Sequence, residues 1–266
     1  MARLDVAAVE VRFGGVVALR GIDLTVESGS VTGLIGPNGA GKTTLFNVIT
    51  GLQRAQSGTV TLDGHNLTNL PPHRRARQGI ARTFQRLEVF GSLTVRENIL
   101  VAAEIRRRWA RDGSNPRRVA DEVIAQVGLG PVARVRCDTL PTGTARLVEV
   151  GRALATRPKV LLLDEPSSGL DDHETDELGQ LLVRLAGDGT AVLLVEHDVE
   201  LVMSVCRLVH VLDFGRILAV GTPAEIQANP DVRSAYLGEA SRGAPEADDG
   251  DAEAGGGDAE VAGVLV

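Results

Sequence analysis

The residues Gly36-Pro37-Asn38-Gly39-Ala40-Gly41-Lys42-Thr43-Thr44 set glycines, a lysine and hydroxyls at the spacing GxxxxGK[ST], which holds nucleotide phosphates. Gly36, Gly39 and Gly41 let the backbone around Asn38 turn its N–H groups onto phosphate oxygens. Lys42 adds a positive charge at the outer phosphates, Thr43 offers a hydroxyl to Mg²⁺, and Thr44 opens the helix that follows. Lys42 and Lys159 are the only lysines among 28 basic residues, so a lysine here is not the by-product of a lysine-rich surface. The segment reads as a nucleoside triphosphate site.

Two further groups supply what hydrolysis needs. Val160-Leu161-Leu162-Leu163-Asp164-Glu165 is an apolar run ending in two carboxylates. Asp164 would reach Mg²⁺ directly or through water, and Glu165 would polarise the attacking water. A second apolar run, Ala191 to Val195, delivers Glu196 and then His197, which sets an imidazole where the γ-phosphate should lie. His65, His73, His173 and His210 have no such placement.

These groups are far apart in the chain and need a sheet to bring them together. Val31 to Ile35 predicts a strand before the phosphate loop, and Thr44 to Leu52 has apolar residues at helical spacing after it. Val160 to Leu163 and Ala191 to Val195 are continuous apolar runs suited to buried parallel strands. Leu4 to Val11, Ile22 to Val26 and Thr59 to Leu62 alternate as half-buried strands do, with Gly14-Gly15, Glu27-Ser28-Gly29 and Asp63-Gly64 as turns. They predict an antiparallel sheet beside the loop. From about 87 to 156 the texture becomes helical, broken at Gly113-Ser114-Asn115-Pro116 and Gly128-Leu129-Gly130-Pro131, which predicts a helical subdomain inserted in the α/β core.

At 266 residues with 43% apolar composition the chain can bury a substantial core. The formal charge of −7 is local: eight acidic residues from Glu239 onward face one arginine, Arg242, and residues 1–238 are formally neutral. That balance gives no basic excess for nucleic acid, and Arg106-Arg107-Arg108 with Arg111 reads as a solvated helix face. Residues 239–266, rich in Gly, Ala, Asp and Glu, read as a disordered acidic tail. Cys137 and Cys206 are too few and too far apart for a disulfide framework, which points to a reducing cytoplasm. Met1 to Asp5 lacks the apolar core of an export signal, and no run approaches the ~18 apolar residues of a membrane span. Work at a membrane would require another subunit to supply the membrane part.

Taken together, the motifs between about Leu4 and Gly238 resemble those of ATP-binding cassette (ABC) ATPases. The resemblance implies a P-loop, RecA-like α/β core carrying an N-terminal antiparallel β subdomain and an inserted helical subdomain, with 1–238 as the nucleotide-binding domain. It implies ATP and Mg²⁺ as cofactors. Gln85, in Ala81-Arg82-Thr83-Phe84-Gln85, matches the family's glutamine that joins the core to the helical subdomain and senses the γ-phosphate and Mg²⁺. Phe13 matches the aromatic that stacks on adenine; core packing is the alternative for this residue. Asp171, in Ser168-Gly169-Leu170-Asp171, falls in the loop that meets the opposite subunit.

One motif departs from the family. Its signature LSGGQ closes the partner's site with a serine and helix-terminal N–H groups, whereas this chain has Leu140-Pro141-Thr142-Gly143-Thr144. Pro141 has neither N–H nor hydroxyl, and Gly143 keeps one of the two glycines. Thr142 and Thr144 are the hydroxyls available instead. Unequal sites follow, so a heterodimer with a second ABC ATPase subunit is favoured over a homodimer.

Within the family, Arg82 to Gln85, Val95-Arg96-Glu97-Asn98-Ile99, Val195 to Val199 and Asn229 to Glu239 are similar to ATPase subunits of branched-chain amino-acid importers. Much of the ending also resembles the lipopolysaccharide-export ATPase. A soluble ABC ATPase of DNA repair, chromosome structure or translation is a third reading, but its usual second cassette, coiled coils and basic segments are not found in this sequence. The resemblance implies integral membrane permease subunits as partners, a cytoplasmic location on the inner face of the cell membrane, and no nucleic acid.

Overall fold

Five parallel strands set the frame on which everything else is hung. The computed structural model describes residues 1–234; the acidic segment 239–266 and its expected disorder lie outside the described residues. In chain order the elements are β1 (Arg3–Phe13), β2 (Val16–Glu27), β3 (Val31–Ile35), α1 (Lys42–Thr50), β4 (Ser57–Leu62), β5 (His65–Asn66), α2 (Pro72–Gln78) and β6 (Ile80–Arg82). Helices α3 (Val95–Ala110), α4 (Pro116–Gln126) and α5 (Thr142–Ala155) follow. The chain then returns through β7 (Val160–Asp164), α6 (Asp172–Gly187), β8 (Ala191–Val195), α7 (Val199–Val205), β9 (Cys206–Asp213), β10 (Arg216–Gly221), α8 (Pro223–Ala228) and the short α9 (Pro230–Val232).

The large sheet has the order β10-β9-β3-β8-β7-β6, parallel throughout except for the β10 edge. Every residue of β3, β7 and β8 is buried, as strands covered on both faces must be. The parallel register brings Leu34 and Asp164 both opposite Val195, so the residues after each strand emerge at one edge. The smaller sheet, β2-β1-β4-β5, is antiparallel.

One apolar core, including Phe46, Leu45, Ile49, Leu4 and Leu162, fills the space between the two sheets around α1. The other, including Ile99, Val123, Val148, Leu161 and Leu182, lies under the helices. Helices α3, α4 and α5 pack on one another between β6 and β7, and α3 begins with a Thr94–Glu97 capping box. Buried Arg75 fixes the far end of α1, donating to the carbonyls of Val48 and Ile49 as well as those of Leu70 and Thr68. It therefore satisfies carbonyls that a helix leaves free at its C-terminus.

Strand β9, beside β3, carries a group with a pH consequence. His210 is opposite Leu34, 5% exposed, and neither ring nitrogen has a hydrogen-bond partner among the described residues. Burial pushes its pKa from 6.5 down to about 4. The folded state thus favours neutral imidazole, and this contribution is complete above pH ~6.5 and lost as pH falls towards ~4, about 3 kcal/mol in all. Denaturant unfolding at pH 7 and pH 4.5 should show His210→Leu losing less stability on acidification than the parent chain. Parallel pH profiles would remove His210 as a source of acid sensitivity.

Candidate functional site

The phosphate loop is shaped by conformations that side chains resist. Gly36 has φ 154°, and a Cβ there would lie 2.0 Å from the Leu212 carbonyl oxygen. Gly41 has φ 113°, with Ala18 O 2.8 Å from the same imagined atom. Glycine alone fits both places. Gly41 is also the N-cap of α1, with no side-chain cap and no acidic residue in the first turn. The N–H groups at this helix start have no side-chain acceptor at the cap, and the helix dipole adds positive potential, so the end is made for an anion.

Lys42 is the first residue of α1 and is 8% exposed. Its Nζ donates to Gly36 O at 2.6 Å and to Pro37 O at 3.0 Å, which folds the side chain back along the loop. Burial lowers its pKa, while the carboxylates of Glu165 and Asp164 act in the opposite sense. Loop, lysine, Thr43 and Thr44 line a cleft of 270 Å³ together with Asn38, Gln85, Asp164 and Glu165. Residues from three separated parts of the chain therefore meet in one small space.

Asp164 ends β7 and is 3% exposed. Its N–H donates to Thr83 Oγ1 at 3.1 Å and its Oδ2 accepts from Arg82 Nη2 at 2.8 Å. The next residue, Glu165, has φ 52°, a costly conformation for a residue with a side chain, and its N–H is held by Val195 O at 2.9 Å. Glu165 Oε1 lies 2.9 Å from His197 Nε2. Carboxylate and imidazole form a pair through which a proton can be held or moved.

Glu196 and Arg82 have structural parts that motif reading did not assign. Buried Glu196 accepts from the N–H of Ser167 at 2.8 Å and of His197 at 3.1 Å, tying the two strand ends together; burial raises its pKa. A carboxylate at a buried strand end is the signal that could have marked it. Arg82 has no comparable signal, since its partner is 82 positions away.

Five of the expected residues are not among those lining the cleft: Gly36 at the start of the loop, His197, which meets it through Glu165, and Phe13, Gly143 and Asp171. Phe13 ends β1, 51% exposed, and does not line it. Gly143 is in the first turn of α5, where a Cβ would come 2.5 Å from Gly169 O. Asp171 caps α6: its Oδ1 accepts from the Glu174 N–H at 2.8 Å, and its own N–H donates to Glu174 Oε2 at 3.1 Å. Pro141 is the N-cap of α5, with no side-chain cap bond.

The donor set suits magnesium. Asp164, Thr43 and Gln85 offer hard oxygen ligands at one cleft, and among the described residues no group of three or more His, Cys, Asp or Glu could hold a metal ion alone. An ion that takes few protein ligands and comes with phosphates and water fits such a place better than a caged metal. Among the described residues no helix is long and apolar enough to cross a membrane.

Comparison with known proteins agrees in kind with this geometry. The family described as ABC transporter matches residues 19–168, and that described as branched-chain amino acid ATP-binding cassette transporter matches residues 216–241. The chain is 41% identical over 250 residues to the high-affinity branched-chain amino acid transport ATP-binding protein BraF of Pseudomonas aeruginosa, covering 89% of this chain and 98% of that one. It is 37% identical over 218 residues to the lipopolysaccharide export system ATP-binding protein LptB of Haemophilus influenzae, covering 82% and 90%. Among solved structures, a nucleotide-free ATP-binding cassette from an ABC transporter superposes with a TM-score of 0.80 at 29% identity, covering 89% and 99% of the two chains. The ADP conformation of an ATP-binding cassette superposes with a TM-score of 0.78 at 30% identity, covering 90% and 99%.

Proposed function

The chain belongs to the ABC transporter ATP-binding family, and from that premise we propose that it hydrolyses ATP to drive a membrane importer of branched-chain or other hydrophobic amino acids. The observation that carries hydrolysis is the single cleft lined by Lys42, Thr43, Gln85, Asp164 and Glu165. Amino-acid import is supported by the likeness to BraF, which spans 98% of that protein, and by the family match at residues 216–241. Lipopolysaccharide export is the second reading, supported by the shorter likeness to LptB.

In this reading, residues 1–238 form the nucleotide-binding domain, with 87–156 as its inserted helical part. Phosphates of ATP sit on the N–H groups of the loop and the start of α1, neutralised by Lys42. Phe13 stacks on the base. Thr43, Gln85 and Asp164 hold Mg²⁺, which when bound shields the phosphate charge. Glu165 orients water for attack, and His197 holds the Glu165 carboxylate in place. A second ABC ATPase subunit covers the nucleotide from the other side, and Asp171 helps align the two sites. Its own signature serves this chain's site, while the Pro141 segment of this chain leaves the opposite site weaker, so the pair is a heterodimer.

The membrane connection is a groove of 370 Å³ whose apolar walls include Phe84, Ala102, Ile105, Trp109 and Ala153. Ile105 is 56% exposed there. Such a trough suits an amphipathic helix from a permease, which would keep the subunit on the inner face of the membrane. Purification from detergent-solubilised membranes should bring down polytopic chains, and Ile105→Glu should lose them while ATP binding stays within about twofold. Nucleic acid or ribosomes in place of polytopic chains would overturn the transport reading. Cooperative hydrolysis by the purified chain without another ATPase subunit would overturn the heterodimer.

A further inference from the structure

Arg82 has no part in the proposed hydrolysis, yet it makes one of the most deeply buried ion pairs described here. Its side chain is 5% exposed and that of Asp164 is 4% exposed. Nη2 donates to Asp164 Oδ2 at 2.8 Å, and Nη1 donates to Asn47 Oδ1 on α1 at 2.5 Å. The guanidinium carbon lies 5.2 Å from the centre of the Phe46 ring and 4.9 Å from that of Phe84. This planar, stacked and doubly bonded group is fixed far more firmly than a surface arginine.

Two features of the pair suggest a role. First, a buried carboxylate needs a positive partner, and before any metal arrives Arg82 is that partner. A cation held at Asp164 repels the guanidinium, so the two compete for one carboxylate. Second, Arg82 stands between two spaces. With Thr83 and Phe84 it lines the apolar groove, while its partner Asp164 lines the nucleotide cleft. The residues that follow are held separately, since Arg146 of α5 donates to the carbonyls of Phe84 and Gln85 and pairs with Glu149 at 3.1 Å. A shift of the guanidinium is therefore felt at the groove wall through Phe84.

We propose that Arg82 is a positioning residue that serves as the counter-cation of Asp164 until a metal binds, and that its displacement by the metal is transmitted to the groove through Phe84. The inference rests on the reading of Asp164 as facing the metal. By linkage, a partner that draws Phe84 and Arg82 away from Asp164 strengthens metal binding by the same factor by which the metal strengthens the partner's hold. The docked protein would thus bind Mg²⁺ with its nucleotide more tightly than the free chain does.

Arg82→Met keeps a flexible side chain between the two rings and removes the charge. Two readouts independent of turnover test it: thermal unfolding with and without Mg²⁺ and ADP, and Mn²⁺ affinity with ADP by electron paramagnetic resonance. Without metal, Arg82→Met should unfold at a lower temperature than the parent. Saturating Mg²⁺ and ADP should narrow that gap, and Mn²⁺ should bind about fivefold more tightly or better. Equal destabilisation in both conditions with unchanged Mn²⁺ affinity would make Arg82 merely structural and overturn the proposal. If Arg82→Met folds only with Mg²⁺ and ADP, which ligand binding alone would bring about, or under neither condition, Arg82→Lys decides: it cannot span Asn47 and Asp164 together, so its Mn²⁺ affinity should rise at least about twofold, and parent-like affinity would overturn the proposal. Asp164→Asn separates the two levels. Unchanged Mn²⁺ affinity in that variant overturns the metal reading and this inference with it; lost affinity there, beside unaltered Arg82 variants, overturns only the role of Arg82.

Discussion

Glu165→Gln is expected to retain ATP binding within about twofold while turnover falls by about 10²- to 10⁴-fold, the range contributed by a positioned general base. The substitution keeps the size and shape of the side chain. It also preserves the backbone at φ 52° and leaves an oxygen to meet His197 Nε2, now 2.9 Å from Glu165 Oε1. What is lost is the ability to accept a proton from water. Equilibrium dialysis with labelled ATP and single-turnover hydrolysis would separate binding from chemistry. Turnover within about threefold of the parent would remove Glu165 from the chemical step.

Lys42→Ala is expected to act on binding instead. The lysine is 8% exposed, and its loss removes the one ammonium aimed along the loop. Truncating one member of a buried, hydrogen-bonded charge pair costs about 2–5 kcal/mol, a loss of roughly 30-fold to several thousand-fold in ATP affinity. Thermal unfolding without nucleotide should change far less, because the ammonium is there satisfied only by two carbonyls of its own loop. Calorimetry giving parent-like affinity would contradict the role of Lys42 at the phosphates.

What the sequence disclosed depended on whether a residue's environment was written in its neighbours. Strands β3, β7 and β8 were legible because each is an unbroken apolar run, and the fully buried parallel sheet requires that pattern. The hairpin of β1 and β2 was seen only in part. It runs from Arg3 to Glu27, but register shifts near Val6, Val9 and Val11 break the alternation on which the reading relied. Strand β9 drew no notice because Arg207 and His210 interrupt its apolar run, although His210 is buried. The helix after the phosphate loop starts at Lys42 and stops at Thr50, short of Leu52, because Gly51 takes a left-handed conformation.

Site residues followed the same rule. Lys42, Asp164 and Glu165 were readable because loop and strand ends are local patterns, and the parallel register then gathers them at one edge. Arg82 and Glu196 were not, because their meaning lies in partners from other strands or loops: Asp164 and Asn47 for the first, Ser167 for the second. Arginine is also abundant in this chain, so type alone distinguishes nothing.

Gly143 leaves no space for even a methyl group between the start of α5 and the loop after Glu165, since a Cβ there would come 2.5 Å from Gly169 O and 2.8 Å from Leu170 Cδ2. So close an approach of backbone leaves little slack to absorb movement. If Glu165 activates water and the start of α5 meets a second subunit, as proposed, a displacement beginning at that carboxylate would be passed to the first turn of α5 as a rod passes motion to a piston, gearing the face towards the neighbour to the state of the nucleotide.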